Sequence, residues 1–95
     1  MASLRKIKKD IAFLSGEIIS NSYLALYFQG EEATEPLSQV ISKSIELHNR
    51  IITAINSNPE ATNARLTRKY YAAIEKDMMD STDALFQEIS TICQK

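Results

Sequence analysis

Apolar residues recur every three or four positions along most of the chain, the spacing of one face of an α-helix. In the first third of the chain, this face is formed by Leu4, Ile7, Ile11, Leu14, Ile18, Ser22 and Ala25. The pattern continues to Gly30, and glycine is the usual residue just beyond a helix because it adopts the left-handed conformation easily. We therefore predict a first helix over residues 4–29.

Two further helical patterns follow. The second opens at "TEPL", with Pro36 in its first turn, and its apolar face is Leu37, Val40, Ile41, Ile45, Ile51, Ile52 and Ile55. A run of turn-forming residues, "NSNPEATN", ends it. The third begins near Asn63, and its apolar face is Leu66, Tyr70, Ile74, Met78, Leu85, Ile89 and Ile92. The predicted helices cover about 36–56 and 63–94, and no strand pattern is evident.

Three helices joined by short connections pack antiparallel, up-down-up. The predicted fold is therefore an all-α three-helix bundle, a single domain over residues 1–95. Roughly 20 large apolar side chains point inward, and each contributes about 1.5–3 kcal/mol when buried. This burial rivals the ordering entropy of the chain, so we predict a fold that needs no metal, disulfide or other cofactor.

Composition narrows the setting. The chain has 95 residues and a formal net charge of −1, so its overall charge favours no particular partner. The single cysteine, Cys93, cannot form an internal disulfide, which suits a reducing compartment. The apolar run "IAFL" is too short for a signal-peptide core, and no segment approaches roughly 18 consecutive apolar residues. We expect a cytoplasmic protein without a membrane partner.

Three stretches carry a resemblance to a known family. "SLRKIKKDIAFL" at the start, "YFQG" at the end of the first helix and "KYYAAIEKD" in the third helix resemble a family of short bacterial proteins. Its members are uncharacterised helical proteins. The resemblance covers most of the chain and implies a helical bundle, but no activity or functional residues.

Catalysis centres on one candidate. His48 is the only histidine, and it lies near the centre of the second helix's apolar face, one turn after Ser44. Antiparallel packing would bring Glu17 of the first helix to a similar level, which suggests a nucleophile site. The simpler interpretation is a buried histidine or a polar layer that fixes helix register. We favour the simpler interpretation and predict no catalytic residue and no enzyme activity.

Metal binding has little support. Asp77, Asp80 and Asp83 are spaced by three in the third helix, so their carboxylates drift around it. They lack the glycine and the closing glutamate of a calcium loop, and the Glu-x-x-His pairs of di-iron bundles are absent from the sequence. We interpret the aspartates as a solvated acidic face and predict no metal site.

Charge is predicted to segregate along the bundle. One end would hold Arg5, Lys6, Lys8, Lys9, Arg50, Arg65, Arg68 and Lys69, and the other Glu31, Glu32, Glu35, Asp77, Asp80, Asp83 and Glu88. Cations at helix N-termini oppose the helix macrodipole, which suggests another use, such as an anionic partner. The candidate anion-binding residues are Arg5, Lys6, Lys9, Arg65, Arg68 and Lys69. The simpler interpretation is a soluble surface whose charges happened to segregate.

Apolar residues also exceed what the core needs. The first helix is apolar nearly all round in "YLALYF", and the third has a second heptad row of Ala72, Met79, Phe86 and Cys93. A row off the core face is where a partner helix packs, and Gly16 would let such a helix approach closely. The candidate interface is Phe13, Gly16, Ser20, Leu24, Tyr27, Met79 and Phe86. The alternative is that the bundle wraps these residues at its edges or leaves them singly exposed.

Together these features predict a non-catalytic interaction protein that self-associates, as a homodimer, or binds another helical protein. The first alternative is a module that binds nucleic acid or phosphate weakly through the basic end. The second is an enzyme centred on His48. The basic end of one copy could also meet the acidic end of another.

Overall fold

The computed structural model describes residues 4–57 and 62–94. It contains three α-helices: α1 (Leu4–Gln29), α2 (Thr34–Asn56) and α3 (Ala64–Cys93). A single turn of 3₁₀ helix, Glu31–Ala33, joins α1 to α2. Within the described residues no strand is present, and the predicted all-α three-helix bundle is confirmed. α2 begins two residues earlier than predicted, so Pro36 is its third residue.

The helix ends follow local rules. Gly30 has a φ of 80°, and its N–H donates to the carbonyl oxygen of Leu26 at 3.1 Å. The predicted glycine cap of α1 is confirmed. At the start of α3, the Asn63 side chain accepts a hydrogen bond from the Leu66 N–H at 3.1 Å, which satisfies one of the free donors of the first turn.

Side-chain contacts define the directions of the helices. Lys43 reaches Glu88 at 2.8 Å, while Arg50 reaches Asp77 at 3.0 Å, so α2 and α3 run in opposite directions.

α1 and α3 run in the same direction, because Lys6 lies 3.9 Å from Glu75 and Gln29 Nε2 donates to the Cys93 carbonyl oxygen at 3.4 Å. The result is an up-down-up bundle with dimensions of 51 × 18 × 16 Å.

The core matches the predicted faces at most positions. Its buried apolar members come from all three helices and from the 3₁₀ turn: Ile7, Ile11, Ile18, Ala25, Ala33, Leu37, Val40, Leu47, Ile51, Ile55, Ile74, Met78, Leu85 and Ile89. Three predicted members are wrong: Leu4, Ile45 and Leu66 are exposed. Leu4 and Leu66 lie in the first turns of their helices. Ile45 lies beside the α1–α2 groove, and Leu47 takes the central position instead.

Four small polar residues lie inside this core. Ser44 donates to the carbonyl oxygen of Ser15 in α1 at 3.4 Å, while Ser15, Ser22 and Thr82 each donate to a carbonyl one turn earlier in their own helices. Among the described residues, every buried side-chain nitrogen or oxygen has a hydrogen-bond partner. Hydroxyl groups are thus the buried polar side chains of this core, and His48 is not among them.

Candidate interaction surface

The face of α1 that points away from the core is apolar. Phe13, Leu24 and Tyr27 have exposed fractions of 64%, 57% and 83%. With 100° of rotation per residue, these positions lie opposite the buried Ile11 and Ile18. Exposure of single apolar side chains is normal, but three large ones on one helical face form a patch.

Two small residues lie within this patch. Gly16 and Ser20 are both exposed, and a Cβ atom built at Gly16 would meet nothing within 4 Å. The fold of one chain therefore does not require glycine there. A helix-interior glycine destabilises a helix by about 1 kcal/mol relative to alanine, so the intramolecular packing leaves Gly16 unexplained.

Two more aromatic residues extend the patch, and the sequence-based list of interface candidates omits them. Tyr23 and Phe28 are exposed, and the Phe28 ring packs edge-on against Tyr27 with centroids 5.2 Å apart. The signal for both was present in "YLALYF", where apolar residues continue around the whole helix.

The patch is almost free of charge. Between Ile11 and Gln29, Glu17 is the single charged residue. By length and composition α1 is apolar enough to cross a membrane, a test that core helices of soluble proteins and signal sequences also pass. This corrects the expectation that no segment approaches a membrane span, without assigning α1 to a membrane.

The second apolar row lies on α3. Phe86 follows Glu75 by eleven residues, three helical turns, so it lies on the side of α3 that faces α1. Phe13 follows Lys6 by seven residues, two helical turns, so it extends from α1 in nearly the same direction as Lys6, away from the core.

In the α3 row, Met79 is exposed, and Phe86 is half-buried against the core. Met79 therefore adds an exposed apolar side chain on the side of α3 that faces α1. We call the exposed residues of the two rows, together with Tyr23 and Phe28, the outer apolar surface: Phe13, Gly16, Ser20, Tyr23, Leu24, Tyr27, Phe28 and Met79. Ala72 and Cys93, the other members of the α3 row, are also exposed.

The candidate anion-binding residues share one end of the bundle but do not form one cluster. Lys6 is level with Glu75, whereas Arg65 lies ten residues before Glu75 along α3, which is about 15 Å at 1.5 Å per residue. Arg5 and Lys9 belong to the first group, and Arg68 and Lys69 to the second; all of these side chains are exposed.

Lys6 differs from the other basic candidates because two acids already engage it. Its Nζ lies 2.7 Å from Asp10 and 3.9 Å from Glu75. The hydrogen bond that Lys6 donates to Asp10, and then the negative charge of Asp10, raise the pKa of Lys6. Arg5, Lys9, Arg65, Arg68 and Lys69 have no ion pair with another residue in the part of the chain that the structure describes.

The predicted separation into two charged ends is wrong in the middle of the bundle. Asp77, assigned to the acidic end, makes an ion pair with Arg50, assigned to the basic end, at 3.0 Å. Asp80 pairs with Lys76 at 2.7 Å within α3. α3 is 30 residues long, so these aspartates lie near its midpoint. The acidic end proper consists of Glu31, Glu32 and Glu35.

The His48 constellation is not assembled. His48 is half-buried and lines a shallow groove with Ser15, Ile19 and Ile45. Glu17 lies two residues, or 200° of helix rotation, from both Ser15 and Ile19, so it points to the opposite side of α1.

The Ser44 hydroxyl is fully buried and bonded to the main chain. The expectation that His48 lies at the centre of the core face is wrong. His48 is level with Glu17 as expected, but Glu17 points to the other side of α1. Across residues 4–57 and 62–94, no group of three or more potential metal ligands comes together.

Comparison with known proteins adds no family or function to this geometry. No protein-family model matches the chain, no curated protein matches it, and no solved structure matches its fold. The class that the structure defines is an all-α, up-down-up three-helix bundle with an exposed apolar helix face.

Proposed function

We propose that this protein is a non-catalytic interaction module that self-associates through the outer apolar surface. The observation that supports this is the apolar outer face of α1, where large side chains remain exposed. Apolar side chains that the fold leaves in water gain free energy when a second surface covers them.

The size of the surface is sufficient for a weak, specific contact. Aromatic side chains bury about 150–250 Å² each when fully covered. Covering the exposed parts of Phe13, Tyr23, Leu24 and Tyr27 would remove on the order of 500 Å² per copy. Two copies would then bury about 1,000 Å², the lower limit for a specific interface. We expect a dissociation constant on the order of micromolar.

Light scattering on three variants tests this proposal. Phe13→Glu and Tyr27→Glu place a charge inside the contact and should give folded monomers, because burying an unpaired carboxylate is costly. Ala73→Glu is the matched control. Ala73 is exposed and lies two residues from Glu75, hence on the side of α3 that points away from α1. The control should associate like the unmodified chain. Equal association by all three variants would refute the proposal.

Anion binding is a second candidate, supported by the basic side chains without ion pairs. Arg65, Arg68 and Lys69 lie together in the first turns of α3 and are exposed. Binding to duplex DNA would be weak and indifferent to sequence, and would fall with salt by a slope of about −0.9 per neutralised phosphate.

The Arg65→Glu, Arg68→Glu double variant should lose binding to a short DNA duplex at about 50 mM salt. The Arg5→Glu variant tests the other group, about 15 Å away. If both variants bind the DNA duplex as tightly as the unmodified chain does, the basic side chains serve only as a solvated surface.

A further inference from the structure

We infer that two copies pack their α1 helices antiparallel, with a two-fold axis at Ser20, so that Leu24 of each copy lies against Gly16 of the other. This arrangement rests on the proposed self-association and specifies its geometry. A two-fold interface brings the same surface of both copies together, so the surface must be complementary to itself.

The spacing of the outer apolar surface on α1 has this property. Phe13, Gly16, Ser20, Leu24 and Tyr27 are separated by 3, 4, 4 and 3 residues, a sequence of spacings that is the same in both directions. In an antiparallel pair centred on Ser20, the ring of Phe13 faces Tyr27 of the second copy. Leu24 faces Gly16, and Ser20 faces Ser20.

Size complementarity accounts for the glycine. Leu24 projects into solvent from α1, and no atom lies within 4 Å of a Cβ built at Gly16. A helix surface without a side chain at one position offers a recess that a large side chain of a facing helix can fill. Each copy supplies one large side chain and one recess, and the two-fold axis makes both contacts at once.

Charge complementarity favours the antiparallel direction. Lys9 precedes Tyr27 by eighteen residues, five full turns, so it points in the same direction from α1. Antiparallel pairing brings Lys9 level with Glu31 and Glu32 of the second copy, which are exposed just beyond the end of α1. The C-terminal end of a helix also carries partial negative charge. Parallel pairing would instead place Lys9 against Lys9 and Glu31 against Glu31.

Disulfide formation tests the direction, in a Cys93→Ser background so that only the introduced thiol reacts. Ser20→Cys lies on the proposed two-fold axis, so mild oxidation should give a covalent dimer in high yield. Lys9→Cys should stay uncrosslinked, because antiparallel packing holds its two copies on the order of 30 Å apart. A disulfide requires Cα atoms within about 7 Å of each other.

The possible results separate the geometry from the proposed function. Lys9→Cys crosslinking as completely as Ser20→Cys would indicate a parallel pair and overturn the inference. A chain of twice the monomer mass whose Ser20→Cys variant does not crosslink would also overturn it, with self-association intact. A monomeric chain at every concentration would refute the proposed function itself.

A charge exchange gives an independent test. Lys9→Glu should weaken association about tenfold, and so should Glu31→Lys combined with Glu32→Lys, because each creates like-charge contacts at both ends of the pair. The chain with all three changes restores opposite charges across the interface and should associate nearly as well as the unmodified protein. Lys76→Glu, on the exposed side of α3, is the control without effect. Failure of the triple variant to recover would contradict the antiparallel pairing.

Discussion

At the residue scale, the centre of the α2 face shows how close neighbours divide the structural roles. Leu47 has an exposed fraction of 4%, while His48, one position on, is half-buried in the groove beside Ile19. Helical spacing from Ser44 allows either residue as the next core member, three or four positions later. The rotation of α2 against α1 and α3 places Leu47 in the core, and helical spacing in the sequence does not specify that rotation.

This assignment predicts opposite outcomes for two neighbouring substitutions. Leu47→Ala should lower the free energy of unfolding by about 2–5 kcal/mol, because it leaves a cavity in the core. His48→Ala should change it by less than about 1 kcal/mol, because the side chain is partly solvated and makes no hydrogen bond with the described residues. Urea denaturation followed by circular dichroism measures both. A larger loss of unfolding free energy for His48→Ala would show that His48 has the structural role of a buried histidine.

At the element scale, the helix bounds and caps were the most predictable features. α1 spans Leu4–Gln29 as predicted, because apolar spacing and Gly30 mark its end in the sequence. Helix pairing and the antiparallel order followed from the short connections. The burial of Ile45 and the position of Asp77 were predicted wrongly, because both depend on the rotation and sliding of one helix against another.

The two glycines should respond oppositely to the same substitution. Gly30→Ala should destabilise the monomer by about 1–2 kcal/mol, since an alanine at a φ of 80° is strained. Gly16→Ala should stabilise the monomer by up to about 1 kcal/mol, because α1 has open space there and alanine favours helix. Thermal unfolding at submicromolar concentration isolates this effect from association.

Gly16→Ala has a second predicted effect, which helix propensity alone does not produce. The added methyl occupies the recess proposed for Leu24 of the second copy, so association should weaken although the monomer becomes more stable. Sedimentation velocity of Gly16→Ala beside Ser42→Ala, an exposed helical position on α2, distinguishes the two effects. Unchanged association of Gly16→Ala would remove Gly16 from the interface.

At the scale of the whole molecule, the bundle has two surfaces of different chemistry. The outer apolar surface lies mainly on the face of α1 that points away from the core, whereas the α2–α3 side carries the ion pairs Lys43–Glu88 and Arg50–Asp77. These exposed pairs contribute about 0–1 kcal/mol each and are screened by salt. Apolar contact is much less sensitive to salt. A dimer held by the outer apolar surface should therefore depend less on ionic strength than a dimer held by ion pairs.

Self-association and DNA binding should therefore respond differently to a rise in salt concentration. From about 50 to 500 mM sodium chloride, self-association should weaken by less than about tenfold, because Glu17 is the single charged residue of α1 between the charged ends of the proposed interface. Binding to duplex DNA, if it occurs, should fall much more steeply over the same range. Fluorescence anisotropy of labelled DNA and of labelled protein measures both in one buffer series. A dimer that dissociates as steeply as a DNA complex would point to head-to-tail charge pairing instead.

The most direct test of the central claim is the mass of the unmodified chain in solution. Sedimentation equilibrium over a dilution series from about 200 to 1 μM reports that mass without any substitution. The outer apolar surface predicts a reversible shift from twice the chain mass of 10.7 kDa toward the monomer mass on dilution. A mass of 10.7 kDa at every concentration would show that the exposed face of α1 does not pair with a second copy.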